Sequence, residues 1–417
     1  MLTSLLRDPD FLKLWFGQAI SRIGSQVTLV GLPLTAVLLL GASPLQMGAL
    51  AGASAAPVWI FGLFAGAWAD RLRRRPILIA ADLGRAVVLA VVPLAAMLGR
   101  LTIVHLYLVA TISGFLTVLF DVSYQAYLPS LVERENLVEG NSRLALTESV
   151  AEIVGPPLTG ALVQLVTAPI AILCDAVSFA ASAVFLWLIR KPEPPPARAL
   201  EPHMGREIAE GLRAAWRHPL LRPLAGRKAT AAFFLGFASS LYVLFVTREL
   251  GLTPVFLGIV ISAGGISNLA GAFLAEPLAI RWGVGRTLVG SSLVIGLAML
   301  AVPLARGSVA VCTAILIASQ LCDAAWPVFT INETSLRQAI TPHRLLGRVN
   351  AATHLIFQGI LPLGALAGGA IAQGIGVRNT ILIAAGGILL STLWLVCSPV
   401  RRVRDLCGAG CEPAADC

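Results

Sequence analysis

The sequence predicts an all-α membrane protein whose twelve transmembrane helices form two pseudo-symmetric bundles of six helices. The first observation is composition: 57% of the 417 residues are hydrophobic and 13% are charged, whereas about a quarter of the residues of a soluble domain are charged. The second is the number of apolar segments of roughly 20 residues, the length that crosses a bilayer core of about 30 Å. Such segments can be placed at about 12–40, 46–69, 77–98, 103–127, 144–166, 169–189, 224–247, 255–279, 287–305, 308–331, 346–373 and 378–398.

A repeat along the chain is the third observation. Residues in and just before the fifth segment recur in the eleventh segment at a constant offset, which is 350 − 141 = 209 for two asparagines. Parallel repeats of this kind are the architecture of a large class of transporters, whose binding site lies near the bilayer midplane between the repeats. The recurring residues are Asn141, Gly155, Gly160, Ala161 and Gln164, matched by Asn350, Gly364, Gly369, Ala370 and Gln373, while Pro44 and Gly48 match Pro254 and Gly258 at an offset of 210.

The repeat divides the chain into an N-terminal six-helix bundle, 1–190, and a C-terminal six-helix bundle, 224–398. We predict a cytoplasmic linker at 191–223 and a cytoplasmic tail at 399–417. The linker begins with a proline-rich stretch that cannot be helical. The helix predicted after it places apolar residues on one face with arginines around them, which indicates a helix lying on the membrane surface. These apolar residues are Ile208, Leu212, Ala215 and Trp216.

The net charge of +9 would suit a protein that binds nucleic acid, but its distribution excludes that class. Arginine and lysine concentrate in the loops after the even-numbered segments and in the tail, and the other loops carry few of them. By the positive-inside rule, both termini are cytoplasmic and the protein lies in the plasma (inner) membrane.

Several functional classes lack their characteristic residues in this sequence. It contains neither H-E-x-x-H nor G-x-S-x-G, and the phosphate-binding loop G-x4-G-K-[ST] is absent too, so we expect neither an enzyme nor a primary pump. We predict no cofactor and no metal, because Cys407, Cys411 and Cys417 have no fourth ligand nearby. The expected partners are a small molecule, protons and the bilayer, and the expected state is a monomer.

The loop between spans two and three reads Gly66-Ala-Trp-Ala-Asp70-Arg71-Leu72-Arg73-Arg74-Arg75. It resembles the G-x3-D-R-x-G-R-R loop of the major facilitator superfamily, with Arg73 in place of the second glycine. Such a loop can act as a cytoplasmic gate, in which Asp70 and an arginine hold neighbouring helices together through charge-assisted bonds. We expect Asp121, towards the cytoplasmic end of span four, to be the acidic partner of Arg73–Arg75. The alternative is an ordinary positive-inside cluster.

In span five, Gly155-Pro156-Pro157-Leu158-Thr159-Gly160 resembles the G-P-x-x-G element of the antiporter-like branch of this superfamily. Pro156 removes a helical hydrogen bond, and the two glycines let a neighbouring helix approach closely; plain packing of small residues is the alternative. Longer stretches resemble the bacterial exporter family that includes macrolide efflux and siderophore export proteins. That resemblance implies proton-driven export of amphiphilic small molecules, and it rests on Leu14–Ser21, Ala81–Arg85, Phe120–Val132 and Gly211–Leu220.

Charged residues inside a span are functional candidates, because each costs at least about 2.5–3.5 kcal/mol near the bilayer centre. Glu148 and Glu152 lie one turn apart on the face of span five that carries Gly155, and two adjacent carboxylates bind a proton more readily than one. We therefore predict that they carry the proton, with Asp175 and Asp323 as further candidates. Two i, i+3 or i, i+4 pairs have the spacing of structural ion pairs: Asp82 with Arg85, and Glu333 with Arg337.

A polar stripe on span one should face the central cavity, because lipid would penalise each of its members. It consists of Gln18, Arg22, Ser25 and Gln26. Arg22 has an alternative role as the counter-ion of a carboxylate on span five. His354 and Gln358 on span eleven are further candidate cavity residues.

These observations favour a secondary active transporter, and the resemblance favours proton-coupled efflux by alternating access. Two alternatives stay open at this stage. The protein could be an importer of a small molecule, or a membrane receptor or assembly partner that transports nothing.

Overall fold

The computed structural model describes the backbone of residues 5–193 and 204–405, and within these ranges it leaves undescribed the side chains of Leu6, residues 59–71, Arg134, residues 204–208 and His343. The described part is helical and contains no strand. The helices of the first half are α1 (Pro9–Leu34), α2 (Pro44–Arg71), α3 (Arg74–Met97), α4 (Ile103–Leu131), α5 (Leu137–Val166) and α6 (Ala168–Trp187). They are followed by α7 (Met204–Arg217), α8 (Leu221–Leu244), α9 (Pro254–Trp282), α10 (Val284–Leu304), α11 (Val309–Leu321), α12 (Ala325–Ile340), α13 (His343–Ile375), α14 (Val377–Ser391) and α15 (Leu393–Val396).

Among the described residues, 11 helical segments are long and apolar enough to cross a membrane. They correspond to all of the predicted spans except 46–69, which falls in α2. That helix has 28 residues and is therefore about 42 Å long, and the side chains of its second half lie outside the described set. Span ten is formed by α11 and α12, which a 3-10 turn at Cys322–Ala324 joins. The prediction of an all-α membrane protein is confirmed.

The boundaries of the helices repeat along the chain. A π-helical turn extends α1 at Thr35–Leu39, and another extends α8 at Phe245–Glu249, an offset of 245 − 35 = 210. The ends of α5 and α13 are 375 − 166 = 209 residues apart. Because π-helical turns are rare, this recurrence does not follow from hydropathy alone. Superposition of two six-helix bundles stays a prediction.

The chain forms two compact units. The first unit comprises Met1–Pro202 and Leu252–Ser262, and the second comprises His203–Gly251 and Ala263–Cys417. The start of α9 thus groups with the first unit, whereas the sequence repeat assigned it to the C-terminal bundle. The reason is close packing of this segment on α5, described below.

Each unit has its own apolar core. In the first unit, Phe11, Leu78 and Tyr127 pack together from α1, α3 and α4. In the second unit, Leu224, Leu288 and Leu336 do so from α8, α10 and α12. Large apolar side chains elsewhere on the long helices are exposed, including Met97, Leu165, Phe273 and Ile280. In a membrane-spanning chain, lipid covers such surfaces.

The helix predicted to lie on the membrane surface, α7, packs on the start of α13 within the second unit. Glu210 and Arg348 form an ion pair at 2.5 Å, and a Cβ on Gly211 would overlap the carbonyl of Arg348. Ala215 is buried, whereas Leu212 and Trp216 of the predicted apolar face are exposed. Ile208 lies outside the described side chains. The helix therefore uses its small residues to pack on α13 and leaves two larger ones at its surface.

Candidate functional site

A cavity of about 490 Å³ opens among α1, α4 and α5 within the first unit. Gln18 and Arg22 come from one face of α1, since they are four residues apart. The cavity is amphipathic, because carboxylates, an arginine and amides share its wall with aliphatic and aromatic groups. Its lining residues are Gln18, Arg22, Asp121, Tyr124, Gln125, Asn141, Leu144, Ala145, Thr147 and Glu148.

One arginine lies between two carboxylates in this cavity. Nη2 of Arg22 is 3.2 Å from Oδ1 of Asp121, and Nη1 is 3.5 Å from Oε1 of Glu148. The three side chains remain 32%, 40% and 54% exposed, respectively. A single guanidinium carries one charge, so the group has one negative charge in excess when both acids are ionised. Arg22 thus occupies the position of a counter-ion to span five, and it contacts span four as well.

The structure corrects the expected partner of Asp121. The gate prediction paired this acid with one of Arg73–Arg75, but the structure pairs it with Arg22. Asp121 precedes the end of α4 at Leu131 by ten residues, which is about 15 Å along a helix. It is therefore too deep to meet arginines that begin α3 at the helix end. Asp70 and Arg71 lie outside the described side chains, and Arg73 is exposed.

Arg74 and Arg75 instead take part in a network at the end of the first unit. Their backbone N–H groups donate to the carboxylate of Glu193, at 2.6 and 3.1 Å. The guanidinium of Arg75 donates to the carbonyls of Leu186 and Trp187, at 2.9 and 2.6 Å. Glu193 therefore stabilises the start of α3, where an anion is favoured, and Arg75 caps the end of α6. Sequence reasoning missed Glu193, although it is the acid within the proline-rich stretch.

Glu152 follows Glu148 by one helical turn on α5 and is exposed. It makes no ion pair with any residue in the part of the chain that the structure describes. The two acids predicted to act together are thus distinguished by their surroundings, because Glu148 is held near Arg22 and Glu152 is not. Gln26, two helical turns from Gln18 on α1, packs on α5 where a Cβ on Gly155 would overlap it.

Asp175 on α6 is fully buried beside α1. It accepts hydrogen bonds from the hydroxyl groups of Thr28 and Ser178, the latter at 2.9 Å. Gly24 leaves room for this arrangement, since a Cβ there would overlap Ser178. Its neighbour Ser25 donates to the carbonyl of Ser21 at 2.8 Å. Asp175 is thus held by hydroxyl groups rather than in an ion pair among the described residues.

The predicted pair of Asp82 and Arg85 forms within α3, and both residues are buried. The guanidinium lies between two rings, 4.5 Å from the centroid of Phe120 and 4.0 Å from that of Phe179. Such cation–π contacts favour a desolvated guanidinium. This pair ties α3 to α4 and α6, which is the structural role expected of it.

In the second unit, one carboxylate lies among several cations. Glu333 and Arg337 form the predicted pair at 2.5 Å, and Lys228 approaches Glu333 at 3.8 Å. Arg227 is 2% exposed, lies 3.7 Å from the ring centroid of Phe329 and donates to Ser292 at 3.1 Å. Sequence reasoning missed Arg227 and Lys228. Their signal was two adjacent cations inside the predicted span 224–247.

Three predicted site residues of the second unit remain, namely Asp323, His354 and Gln358. Asp323 is half-buried at the 3-10 turn between α11 and α12, where Gly264 of α9 approaches Gln320. On α13, His354 is exposed and Gln358 is half-buried.

The Gly-Pro element of α5 packs on the start of α9. Because Pro157 has no N–H, the carbonyl of Ile153 lacks its helical donor, and the hydroxyl of Ser262 donates to it at 2.6 Å. The two glycines act reciprocally: a Cβ on Gly160 would overlap the carbonyl of Pro254, and one on Gly258 would overlap that of Pro156. The α-helix continues through Pro156 and Pro157, and the hydrogen bond that Pro157 cannot make is replaced from a neighbouring segment.

Comparison with known proteins assigns the family. Residues 3–409 match the family model described as transmembrane secretion effector. The chain is 25% identical to the multidrug efflux pump Tap of Mycolicibacterium fortuitum, over 97% of this chain and 99% of that protein. It is 24% identical to macrolide efflux protein A of Streptococcus pyogenes, over 95% and 97%.

The fold is also that of solved transporter structures. A bacterial homologue of the iron transporter ferroportin matches with a TM-score of 0.76 at 18% identity, over 94% of this chain and 99% of that one. The relatives are membrane transporters of the major facilitator type and not enzymes. Together with the helical fold and its repeat, these matches show that the chain belongs to the transmembrane secretion effector family of the major facilitator superfamily.

Proposed function

We propose that this transporter exports an amphiphilic small molecule, such as an antibiotic, a macrolide or a siderophore, in exchange for protons. The efflux roles of its relatives support the direction of transport. The amphipathic cavity of the first unit supports the substrate class, because its wall combines Arg22, Asp121 and Glu148 with Tyr124 and Leu144. We place both termini in the cytoplasm, as the distribution of arginines predicts.

The sharing of Arg22 between Asp121 and Glu148 is the observation that carries proton coupling. With both acids ionised, the group has a net negative charge, which is costly to enclose away from water. Binding of one proton to Glu148 leaves Arg22 paired with Asp121 and the group neutral. Closure of the cavity without substrate then requires a proton.

The same charge balance couples the export of substrate to the entry of protons. A substrate that brings a positively charged group to the carboxylates can replace the proton, so the cavity closes when either is bound. A proton that enters from outside is released to the cytoplasm when substrate binds there. Export of substrate is thus exchanged for entry of protons, as alternating access around one site requires.

The proposal is tested by transport into inverted membrane vesicles with erythromycin and ethidium as probes. We expect Glu148→Gln and Glu152→Gln to lose transport driven by an imposed pH gradient and to retain exchange of the probe across the membrane. Glu133→Gln is the matched control, since Glu133 is an exposed acid outside the cavity. If Glu148→Gln and Glu152→Gln both keep full proton-driven transport, the coupling site moves to Asp175 or Asp323.

The loop from Asp70 to Arg75 belongs to the proposal as a cytoplasmic gate. Asp70 and Arg71 would pair with neighbouring helix ends when the cytoplasmic side closes. The network of Arg74 and Arg75 with Glu193 supports this, because it holds the start of α3 against the end of α6. Asp121 has no part in the gate and belongs to the group around Arg22.

A further inference from the structure

A second cavity, of about 620 Å³, lies in the second unit where α9 meets α10. Arg286 on α10 and Arg401, Arg402 and Arg404 after α15 line it together with Trp282. All four arginines are exposed. Within the described part of the chain none of them has a carboxylate at ion-pair distance, since the ion pairs of this unit join other residues. The cavity is therefore a concave surface with a strong positive charge.

The segment that carries three of these arginines is held in place by its backbone. The N–H groups of Val284 and Gly285 donate to the carbonyls of Arg404 and Val403, at 3.0 and 2.8 Å. Gly283 adopts a φ of 83°, and a Cβ on Gly285 would overlap the carbonyl of Val400. The chain thus has glycines where the segment comes closest. These hydrogen bonds hold the segment beside α10, so that its guanidinium groups surround one cavity.

The cavity lies at the boundary of the surface that lipid covers. On α9, Phe273 is 75% exposed and Ile280 is 77% exposed, which in a membrane-spanning helix means contact with acyl chains. Trp282, two residues further on, is 53% exposed, and tryptophan is enriched at the level of the lipid headgroups. The arginines begin where this apolar surface ends.

We propose that this cavity binds the phosphate group of an anionic phospholipid. A guanidinium offers paired donors that match phosphate oxygens, and basic pockets next to apolar helix surfaces are suited to anionic headgroups. The exposed side of α9 would hold the acyl chains while the arginines contact the headgroup. This site is separate from the cavity around Arg22 and does not depend on which substrate is carried.

The test uses the purified full-length protein in detergent, with bound lipids counted by native mass spectrometry during titration with phosphatidylglycerol. We expect Arg286→Gln with Arg402→Gln to weaken phosphatidylglycerol binding roughly 30-fold, the effect of removing two cations at a membrane surface. The matched control is Arg281→Gln with Arg344→Gln, which removes two exposed arginines outside the cavity. We expect it to change binding less than twofold.

Two further titrations identify the source of the phosphate. Phosphatidylcholine, which has no net charge, should bind equally to the cavity variant and to the unchanged protein. Inorganic phosphate should fail to displace phosphatidylglycerol at millimolar concentration, because it lacks acyl chains. Equal loss of phosphatidylglycerol in the cavity and control variants would overturn the proposal. Binding of inorganic phosphate that depends on Arg286 and Arg402, with lipid binding unchanged, would overturn the lipid assignment.

Discussion

In the first unit one arginine lies between two carboxylates, whereas in the second unit one carboxylate lies between two cations. The helices that carry these groups repeat along the chain, but the charges do not: the residues 209 positions after Asp121 and Glu148 are Thr330 and Phe357. Exposure differs too. The side chain of Glu148 is 54% exposed, and that of Glu333 is 3% exposed. A repeated scaffold can therefore hold a solvent-accessible charged group in one half and a buried ion pair in the other.

The asparagines that revealed the repeat show the same divergence. Asn141 donates to the carbonyl of Leu137 at 2.9 Å and lines the cavity. Asn350 accepts from Nε of Arg337 at 2.9 Å, so it supports the buried pair instead. The constant spacing thus relates the positions of the two residues along the chain, while the use of each residue follows from its neighbours.

The largest expected effect comes from breaking the buried group of the second unit. Glu333→Gln leaves Lys228 and Arg337 without their carboxylate, and loss of one partner of a buried pair costs about 3–5 kcal/mol. We expect thermal unfolding of the purified protein at a clearly lower temperature. Glu276→Gln, at an exposed acid, should leave the unfolding temperature unchanged. Equal stability of the two variants would mean that the cations are solvated.

Changing Arg22 sharpens the comparison in the first unit. Arg22→Gln leaves Asp121 and Glu148 without a cation, and we expect proton-driven transport of the probe to fall by 10-fold or more, since tenfold corresponds to about 1.4 kcal/mol. Arg22→Lys keeps the charge but cannot bridge two acids with one planar group. It should therefore restore part of the activity. Transport rates at matched expression measure this, and full activity of Arg22→Gln would contradict the charge balance that we propose.

A smaller effect is expected at the loop between α2 and α3. Asp70→Asn should lower transport several-fold with near-normal expression, because a charge-assisted bond becomes a neutral one. The corresponding stretch of the second half, residues 279–286 around the junction of α9 and α10, carries Arg281 and Arg286 but no acid. Arg286→Gln should accordingly leave the transport rate in detergent-free vesicles of zwitterionic lipid unchanged. Normal transport by Asp70→Asn would reduce the loop to a determinant of topology.

The smallest effect concerns the contact of α5 with the start of α9. Ser262→Ala removes the donor to the carbonyl of Ile153, and we expect a loss of about 1 kcal/mol in the free energy of unfolding. The control is Ser239→Ala, whose exposed side chain donates to the carbonyl of Gly236 on its own helix at 3.3 Å. A loss no larger than that of the control would show that water or another group satisfies Ile153.

Local features of the fold and the site could be predicted from the sequence. The pairs Asp82–Arg85 and Glu333–Arg337 follow from spacing on one helix, because residues three or four apart share a face. The group around Arg22 could be predicted only in part. Arg22 and Asp121 are 99 residues apart, and no local period relates them. The gate assignment placed Asp121 at the end of α4. In the structure, about 15 Å of helix length separates Asp121 from that end.

The sequence by itself determined the helical fold class, the repeat along the chain and the family, because apolar length and recurring residues are properties of the chain. The tertiary structure alone decided which charges meet. It joined Arg22 to acids of two other helices and placed Glu193 at the start of α3. It also supplied Ser262 for the carbonyl that Pro157 leaves without a donor. These contacts depend on the packing of helices distant in sequence, which helical periodicity does not specify.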